Sequence, residues 1–253
     1  MFGFGSRKPK WGVVLSGGGV RGYAHLGALQ ALAEKGIKPD LISGVSAGAI
    51  AGVFIASGMS PLEAFAALSK YTFRDVTRFR LPRNGLLSLD NLGDRIKGAI
   101  DCSSFEELQI PLIVGVSNLL SGKIEYVDHG PIAPIIQASA SIPVLFSPVK
   151  HNDQLYVDGG LFDNLPAVPL KGKCRKIIGI NVSPVQEIRQ VNGLIDIASR
   201  SFQLGVASGM KEGKSLCDIF IEPQGLENYD ILNSDHAQEI FDLGYRHTMK
   251  IKC

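Results

Sequence analysis

The chain has 253 residues, of which 45% are hydrophobic, and its 26 basic residues nearly balance 24 acidic ones. This length and apolar content suffice for one large core, so we expect a single domain over residues 11–253 behind a flexible segment at 1–10. The near-neutral charge gives no reason to expect nucleic acid as a partner. No run of about 18 apolar residues occurs, and the basic N-terminus lacks the apolar core of a secretory leader.

The four cysteines are far apart in the sequence and form no C-x-x-C pair. They are Cys102, Cys174, Cys217 and Cys253. This spacing argues against a zinc site and a disulfide framework, and it favours a reducing compartment. We therefore expect a cytoplasmic protein without metal or cofactor, with peripheral contact at the inner face of a membrane as an open alternative. Nothing in the sequence indicates an oligomeric state.

Apolar runs separated by glycines predict alternating strands and helices in the first third of the chain. The predicted elements are a strand at 11–16, a helix stopped by Gly36, a strand at 37–43, a helix ending near Ser57, and a helix opened by Ser60 and Pro61. Glu63 completes a capping box with Ser60, because its side chain lies three positions after the cap. Gly36 and Pro61 mark the two clearest element boundaries.

The rest of the chain continues the alternation and adds one hairpin. Helices are predicted at 88–100, capped by Ser88 or Asp90, and at 130–140, 191–213 and 235–250; strands are predicted at 110–119, 123–127, 155–157, 176–182 and 217–221. The turn Leu120–Gly122 joins two of these strands. This order predicts a three-layer α/β/α sandwich with a largely parallel, mixed central sheet.

The segment between Lys70 and Leu87 breaks the periodicity. It contains aromatic or apolar residues among arginines, namely Tyr71, Phe73, Phe79 and Leu81 with Arg74, Arg78, Arg80 and Arg83. Such a mixture suits an anionic lipid surface, so residues 71–83 are a candidate interfacial or lid element. An ordinary surface loop with its aromatic side chains turned inward is the alternative.

The stretch Gly44-Val-Ser-Ala-Gly48 has the layout of a nucleophile elbow. A short apolar run precedes it and a small-residue helical pattern follows it. The sharp turn needs glycine on both sides of the serine, because a side chain there would collide with the neighbouring strand or helix. The pattern predicts that Ser46 is exposed at a helix N-terminus as a nucleophile, where developing negative charge is stabilised.

Gly17-Gly-Gly-Val-Arg-Gly22 also follows a predicted strand and opens a helix. Its backbone N–H groups could hold an anion, either a nucleotide phosphate or the oxyanion of acyl transfer. The Walker pattern is absent, since no Gly-Lys-Ser/Thr follows. A dinucleotide fingerprint fits loosely, with Glu34 or Asp40 as the ribose ligand, but that alternative leaves Ser46 unexplained.

A third motif, Asp158-Gly-Gly160, follows a short predicted strand. An aspartate there would lie at a strand end, where ligands bind in open α/β sheets, although Asp-Gly is also an ordinary turn sequence. A conventional Ser-His-Asp triad would need a late histidine, which leaves His236 and His247. Both lie in a polar helical segment without the loop glycines of a catalytic turn.

The three motifs, in this order and at these spacings, resemble the patatin-like phospholipase family. The segment Ala138–Phe146 is also similar to one that the family carries before its aspartate. The resemblance covers about Trp11 to Val182. It implies a Ser-Asp dyad without histidine, in which Ser46 is the nucleophile and Asp158 the base.

The same resemblance implies the remaining site residues. The backbone N–H groups of Gly17, Gly18 and Gly19 would form the oxyanion hole, and Arg21, Gly22, Gly44, Gly48, Gly159 and Gly160 would support the site. The expected activity is that of a serine esterase or lipid acyl hydrolase of phospholipase A or lysophospholipase type. We further expect desolvation to raise the pKa of Asp158. A Ser-His-Asp hydrolase and a non-catalytic lipid- or nucleotide-binding regulator remain the alternatives.

Overall fold

A computed structural model describes residues 8–70, 75, 78–79, 87–188 and 190–252. The strands are β1 (Trp11–Leu15), β2 (Leu41–Gly44), β3 (Arg78–Phe79), β4 (Leu87–Ser88), β5 (Leu112–Asn118), β6 (Lys123–Val127), β7 (Val149–His151), β8 (Gln154–Asp158), β9 (Lys176–Ile180) and β10 (Ile219–Ile221). The helices are α1 (Tyr23–Glu34), α2 (Ala47–Ala56), α3 (Pro61–Leu68), α4 (Asp90–Ala99), α5 (Ile132–Ser139), α6 (Gly193–Gly209), α7 (Lys211–Ser215) and α8 (Ala237–Met249).

The main sheet runs in the order β10-β9-β1-β2-β5-β8-β7, and β6 pairs with β5 off this path. Strands β10, β9, β1, β2 and β5 are mutually parallel, whereas β6 and β8 run antiparallel to β5. Along β1, Val13 and Leu15 belong to one buried apolar cluster and Val14 belongs to another. Because successive strand residues point to opposite faces, the sheet is covered on both sides. This confirms the predicted α/β architecture with a largely parallel, mixed sheet.

Strand β5 joins the parallel and antiparallel parts of the sheet. Its residues Val114 and Val116 mark the change of partner: Gly44 at the end of β2 pairs with Val114, and Asp158 at the end of β8 pairs with Val116. Both positions also pair with β6, so β2 and β8 follow each other along the opposite edge of β5. The two strands run towards each other and end on either side of Gly115.

Several elements differ from the sequence prediction, among them β7 and the predicted helix at 191–213. Strand β7 is not predicted from the sequence, because its three residues are too few to show an alternation of apolar and polar side chains. A tight turn follows it at Asn152 and Asp153, whose φ angles of 46° and 56° suit a hairpin. The predicted helix at 191–213 is two helices, α6 and α7, because the chain leaves regular helical geometry at Met210 (φ −75°, ψ −7°) after Gly209.

Local capping agrees with the sequence prediction at α3, where Ser60 and Glu63 form the predicted capping box. It differs at α4, whose N-cap residue is Leu89 and neither Ser88 nor Asp90, and the Leu89 side chain makes no capping hydrogen bond. The Ser88 hydroxyl instead accepts the Asp90 N–H at 3.1 Å from one position further back. Among the described residues, no helix combines the length and apolar character needed to cross a lipid bilayer.

Candidate active site

Ser46 lies in a strained turn between β2 and α2. Its backbone has φ 52° and ψ −122°, a region that non-glycine residues rarely adopt and that costs roughly 1–3 kcal/mol. A Cβ atom on Gly44 would lie 2.7 Å from the carbonyl group of Gly48, and one on Gly48 would collide with the Leu15 carbonyl. The two glycines therefore permit the close strand–turn–helix contact that the elbow requires.

The Ser46 backbone is anchored from outside the turn. Its N–H donates to the Ser139 hydroxyl at 2.9 Å, and that hydroxyl donates to the Gly115 carbonyl at 2.7 Å. The Ser46 carbonyl accepts from Ile50 N–H in the first turn of α2. Ser46 is 5% exposed, so the prediction of an exposed serine is wrong: the residue is buried where cavities open inside the fold, beside the positive end of α2.

The glycine loop packs against the elbow and against the C-terminal segment. A Cβ atom on Gly22 would lie 2.8 Å from the Ala47 Cβ atom, and one on Gly19, where φ is 59°, would collide with the Ile231 carbonyl. A side chain at either position would force these elements apart. The loop glycines thus allow the backbone to approach Ser46 closely.

The loop N–H groups do not all point into the recess. The Gly17 N–H lies 3.2 Å from the Asn164 Oδ1 atom and 3.3 Å from the Asn164 carbonyl oxygen. The N–H groups of Gly18 and Gly19 make no hydrogen bond to another described residue. Of the three N–H groups predicted for the oxyanion hole, two are therefore available, and the Gly17 N–H instead ties the loop to Asn164.

The Arg21 side chain binds the glycine loop to two later parts of the backbone. Its guanidinium donates to three backbone carbonyls, those of Tyr229 at 2.9 Å, Pro184 at 3.1 Å and Glu227 at 3.4 Å. The residue is 7% exposed, and burial lowers the pKa of the guanidinium. Arg21 therefore connects the loop to the chain after β9 and to the segment before α8.

Asp158 is buried at the end of β8 and is 1% exposed. Its Oδ1 atom accepts the Gly160 N–H at 2.8 Å, whereas Oδ2 accepts no standard hydrogen bond from a described residue. Desolvation raises the pKa of Asp158 to about 7, although the nearby Ser46 side chain and the Gly160 N–H lower it. The predicted rise is confirmed. The Ser46 side chain is therefore close enough to the Asp158 carboxyl group to affect its charge.

Asp158 is the last residue of β8, as predicted for an aspartate at a strand end. This strand is antiparallel to β5 and does not belong to the parallel part of the sheet. Asp158 meets Ser46 because β8 ends where it approaches the end of β2. Glycine is needed at position 159, because a Cβ atom there would collide with the Gly115 carbonyl. A Cβ atom on Gly160 would lie 2.8 Å from the Asn164 Oδ1 atom.

Two cavities meet at Ser46. The larger has a volume of about 170 Å³ and is almost entirely apolar, with walls from α1, α2, α4 and the chain after α5. The smaller, of about 20 Å³, contains Asp158 and the glycine loop together with Asn164, Ser183 and Gln203. Ser46, Gly19, Ile142 and Ile231 line both cavities. The nucleophile candidate therefore lies between an apolar chamber and a polar recess.

The histidines lie away from these cavities. His236 contacts Glu239 at 2.9 Å and is exposed, and this hydrogen bond raises its pKa. His247 lies in the last turn of α8, where burial lowers its pKa. His25 is fully buried, its Nε2–H donates to the Ser16 carbonyl at 2.8 Å, and burial lowers its pKa to about 4. No histidine lines either cavity among the described residues.

The residues considered as ribose ligands do not face the glycine loop. Asp40 accepts the backbone N–H groups of Lys10 and Trp11 at the start of β1. Glu34 accepts the Tyr245 hydroxyl at the far end of α1. The dinucleotide alternative therefore lacks its acidic residue at this site.

Two other predictions concern metal ions and the lid. In the part of the chain that the structure describes, no group of three or more histidine, cysteine or carboxylate side chains could hold a metal ion. The predicted interfacial element at 71–83 lies outside the described residues, except for positions 75, 78 and 79. Its role remains a prediction.

Three residues of the site were not singled out from the sequence. Ser139 lies within the segment that carried the family resemblance, and Asn164 follows Asp158 by six positions, so a longer motif would have included both. Ile231 belongs to the region after residue 191, where no motif was available. Packing against Gly19 brings it to the site, and no local pattern encodes that contact.

Comparison with known proteins shows similarities in sequence and in fold. A family model described as a patatin-like phospholipase matches residues 13–171. An uncharacterized NTE family protein of Mycobacterium bovis is 36% identical over 172 residues, which cover 66% of this chain and 47% of that protein. Lysophospholipase NTE1 of Candida glabrata is 26% identical over 266 residues, covering 92% of this chain and 15% of that protein.

Among solved structures, VipD from Legionella pneumophila superimposes with a TM-score of 0.56. The match covers 97% of this chain and 67% of VipD at 18% sequence identity, so it supports the fold alone. The chain spans about half the length of the mycobacterial relative. It spans a much smaller share of the fungal lysophospholipase.

Proposed function

Because the chain belongs to the patatin-like phospholipase family, we propose that it is a serine esterase that cleaves lipid acyl esters with Ser46 and Asp158. One observation carries the proposal: a buried carboxylate with a free oxygen faces a serine hydroxyl at a helix N-terminus. Two loop N–H groups without protein partners, those of Gly18 and Gly19, belong to the same recess. This set supplies a nucleophile, a base and anion donors without a histidine.

Acylation uses the raised basicity of Asp158. The Ser46 Oγ atom forms a bond to the ester carbonyl carbon while Asp158 takes its proton. The carbonyl π electrons move to oxygen, and the N–H groups of Gly18 and Gly19 donate to that oxyanion; one such donor is typically worth about 2.7–4 kcal/mol. When the oxyanion collapses, the bond to the leaving alkoxide breaks and Asp158 returns the proton to it.

Deacylation repeats the same steps with water. Water attacks the acyl carbon as Asp158 takes one of its protons, and the second tetrahedral intermediate uses the same two N–H groups. The bond from carbon to Ser46 Oγ then breaks, the serine regains the proton, and the carboxylic acid leaves. Asp158 ends the cycle ionised, so a pKa near 7 suits a group that must both accept and release a proton near neutral pH.

The two unequal cavities favour substrates with one acyl chain, such as lysophospholipids or simple long-chain esters. The apolar chamber of about 170 Å³ opens directly at Ser46 and suits an alkyl chain. On the other side the recess measures only about 20 Å³ and is lined by both polar and apolar residues, so it leaves no room for a second acyl chain.

A hydrolysis screen on the purified protein tests this function. The substrates are a medium-chain p-nitrophenyl ester, a lysophospholipid and the matching diacyl phospholipid, each assayed at the same molar concentration. Ser46→Ala and Asp158→Asn should each lower kcat by at least about 10³-fold, whereas His236→Ala and His247→Ala should retain parental rates.

The alternatives predict different outcomes in the same screen. Loss of activity on replacing either histidine would support a Ser-His-Asp triad. A parent protein without hydrolysis of any ester would support a binding function. Faster turnover of the diacyl lipid than of the lysolipid would contradict only the preference for single-chain substrates, and the proposed esterase function would stand.

A further inference from the structure

The strained backbone of Ser46 depends on a contact outside the elbow motif. Ser46 has φ 52° and ψ −122°, and its N–H precedes the regular hydrogen bonds of α2. A backbone held in such a sparsely populated region persists only when its surroundings fix it. Gly44 and Gly48 remove steric obstacles, but they supply no hydrogen bond to the Ser46 N–H group.

The Ser139 hydroxyl accepts that hydrogen bond and donates a second one. Its Oγ atom accepts the Ser46 N–H at 2.9 Å and donates to the Gly115 carbonyl at 2.7 Å. A hydroxyl has one donor and two acceptor sites, so it can bridge an N–H and a C=O group that do not pair directly. Ser139 is 0% exposed at the end of α5, and it lines neither cavity at Ser46.

Gly115 is the position on β5 where both halves of the candidate site converge. It lies between Val114, the partner of the last β2 residue, and Val116, the partner of Asp158. A Cβ atom on Gly159 would collide with the same Gly115 carbonyl that accepts the Ser139 hydroxyl. One carbonyl group therefore contacts the turn after Asp158 and, through Ser139, the backbone of Ser46.

We propose that Ser139 is a positioning residue that fixes the Ser46 backbone at the correct distance from Asp158 by bridging it to Gly115. It touches no substrate atom and transfers no proton. The role rests on the proposed reactivity of Ser46. Without the bridge, a buried N–H and a buried C=O lose their partner, and the turn can relax away from the productive geometry.

Three substitutions separate positioning from general packing. Ser139→Ala removes the hydroxyl, Ser139→Cys keeps nearly the same shape with a weak hydrogen-bonding group, and Ser139→Thr restores the hydroxyl. For a p-nitrophenyl ester, we expect Ala and Cys to lower kcat by roughly 10- to 100-fold with KM within about twofold. Thr should recover most of that loss. If the Ala variant does not fold, the shape-matched Cys variant distinguishes positioning from general packing.

The control is Ser57→Ala, which removes a hydroxyl that donates at 2.7 Å to a backbone carbonyl at the far end of α2. It should lower the melting temperature without lowering kcat. A second readout is the rate at which an alkyl fluorophosphonate phosphonylates Ser46 with loss of fluoride. This rate should fall in the Ala and Cys variants in parallel with kcat.

The outcomes are distinct. If the parent hydrolyses the ester and reacts with the fluorophosphonate, and folded Ala and Cys variants keep more than half of both rates, the positioning role is wrong and the proposed function stands. An equal loss of kcat in Ser57→Ala would also overturn the role, because general destabilisation would then explain the effect. If the parent shows neither reaction, the proposed function fails and the positioning role fails with it.

Discussion

At the scale of single residues, the candidate site depends on one carboxyl group in an unfavourable environment. Asp158 is buried, and its pKa rises to about 7 because desolvation outweighs the hydrogen bonds from Ser46 and Gly160. A free aspartate, with a pKa of about 3.9, would be a weak base. The same burial that provides basicity also costs folding free energy when the group is ionised, so activity and stability respond to pH in opposite senses.

The first prediction concerns the pH dependence of activity. Only the ionised form of Asp158 can accept the Ser46 proton, so kcat/KM should rise with pH through about 7 and reach a plateau above it. The measurement is a pH–rate profile with a soluble ester between pH 5 and pH 9, each value corrected for enzyme inactivation. A flat profile across this range would contradict Asp158 as the base.

The second prediction concerns the stability of Asp158→Asn. The folded-state pKa of about 7 exceeds the unfolded value of about 3.9, so between these two pH values the folded parent keeps a proton that the unfolded chain releases, and the parent loses stability as the pH rises through this window. Asn carries no charge. The free energy of unfolding of the Asn variant should exceed that of the parent only slightly near pH 4 and by about 1–3 kcal/mol at pH 8. Urea unfolding at both pH values measures this difference. An advantage that is constant with pH would argue against a buried, ionising carboxyl.

At the scale of elements, the chain after β9 completes a site whose motifs all lie before it. The family match ends at residue 171, yet Phe202, Val206 and Ile231 line the cavities. Arg21 connects these regions through its backbone hydrogen bonds. The late segments are therefore part of the candidate site rather than an appendage.

The third prediction tests that connection. Arg21→Gln leaves the carbonyls of Pro184, Glu227 and Tyr229 without their shared donor, so the fold should lose about 2–3 kcal/mol. Amide hydrogen exchange should accelerate in the segment 225–231. Urea unfolding measures the first effect, and Arg175→Gln, which alters an exposed arginine, is the matched control. Equal stability of the two variants would exclude the connecting role.

The fourth prediction concerns the crossing of α1 and α8, where two glycines allow backbone contact. A Cβ atom on Gly244 would collide with the Ala24 carbonyl, and one on Gly27 would collide with the Phe241 carbonyl. Gly244→Ala should therefore cost about 1–3 kcal/mol in urea unfolding. Gly98→Ala, at an open helical position in α4, should be neutral or mildly stabilising. If both changes had the same effect, the crossing would not be tightly packed.

At the scale of the whole molecule, the apolar chamber limits the acyl chain that can be accommodated. Each buried methylene is worth about 0.8 kcal/mol, so kcat/KM should rise by up to about fourfold for each added methylene until the chamber is filled. Ala51 lines the chamber and is 2% exposed. A larger side chain there would occupy space that the substrate needs.

The fifth prediction is that Ala51→Leu shifts selectivity towards short acyl chains. With p-nitrophenyl esters from butyrate to dodecanoate, kcat/KM should fall at least about tenfold for the longest ester and stay within about twofold for butyrate. Ala66→Leu, the same change at an exposed position of α3, should leave the series unchanged. A uniform loss across all chain lengths in Ala51→Leu would place the acyl chain elsewhere.

The sequence predicts the alternation of strands and helices because apolar periodicity and glycine breaks are local signals. It also predicts the elbow at Ser46, since steric demands on Gly44 and Gly48 act within a few residues. It does not predict that β8 is antiparallel, because its pairing with β5 depends on contacts across 42 positions, from Val116 to Asp158 (158 − 116 = 42). Ser139, Asn164 and Ile231 are not predicted for the same reason, because each reaches the site through contacts with residues distant in the sequence.

The opposing ends of β2 and β8 make the candidate site unusually sensitive to insertions and deletions. One extra residue in β8 would turn every following side chain to the other face of the sheet, and two would advance the strand by about 6.8 Å into the elbow. The turn at Leu120–Gly122 can change in length without moving either end. Among related chains, length variation should therefore collect in such turns, while the distance along β5 between the two strand ends stays constant.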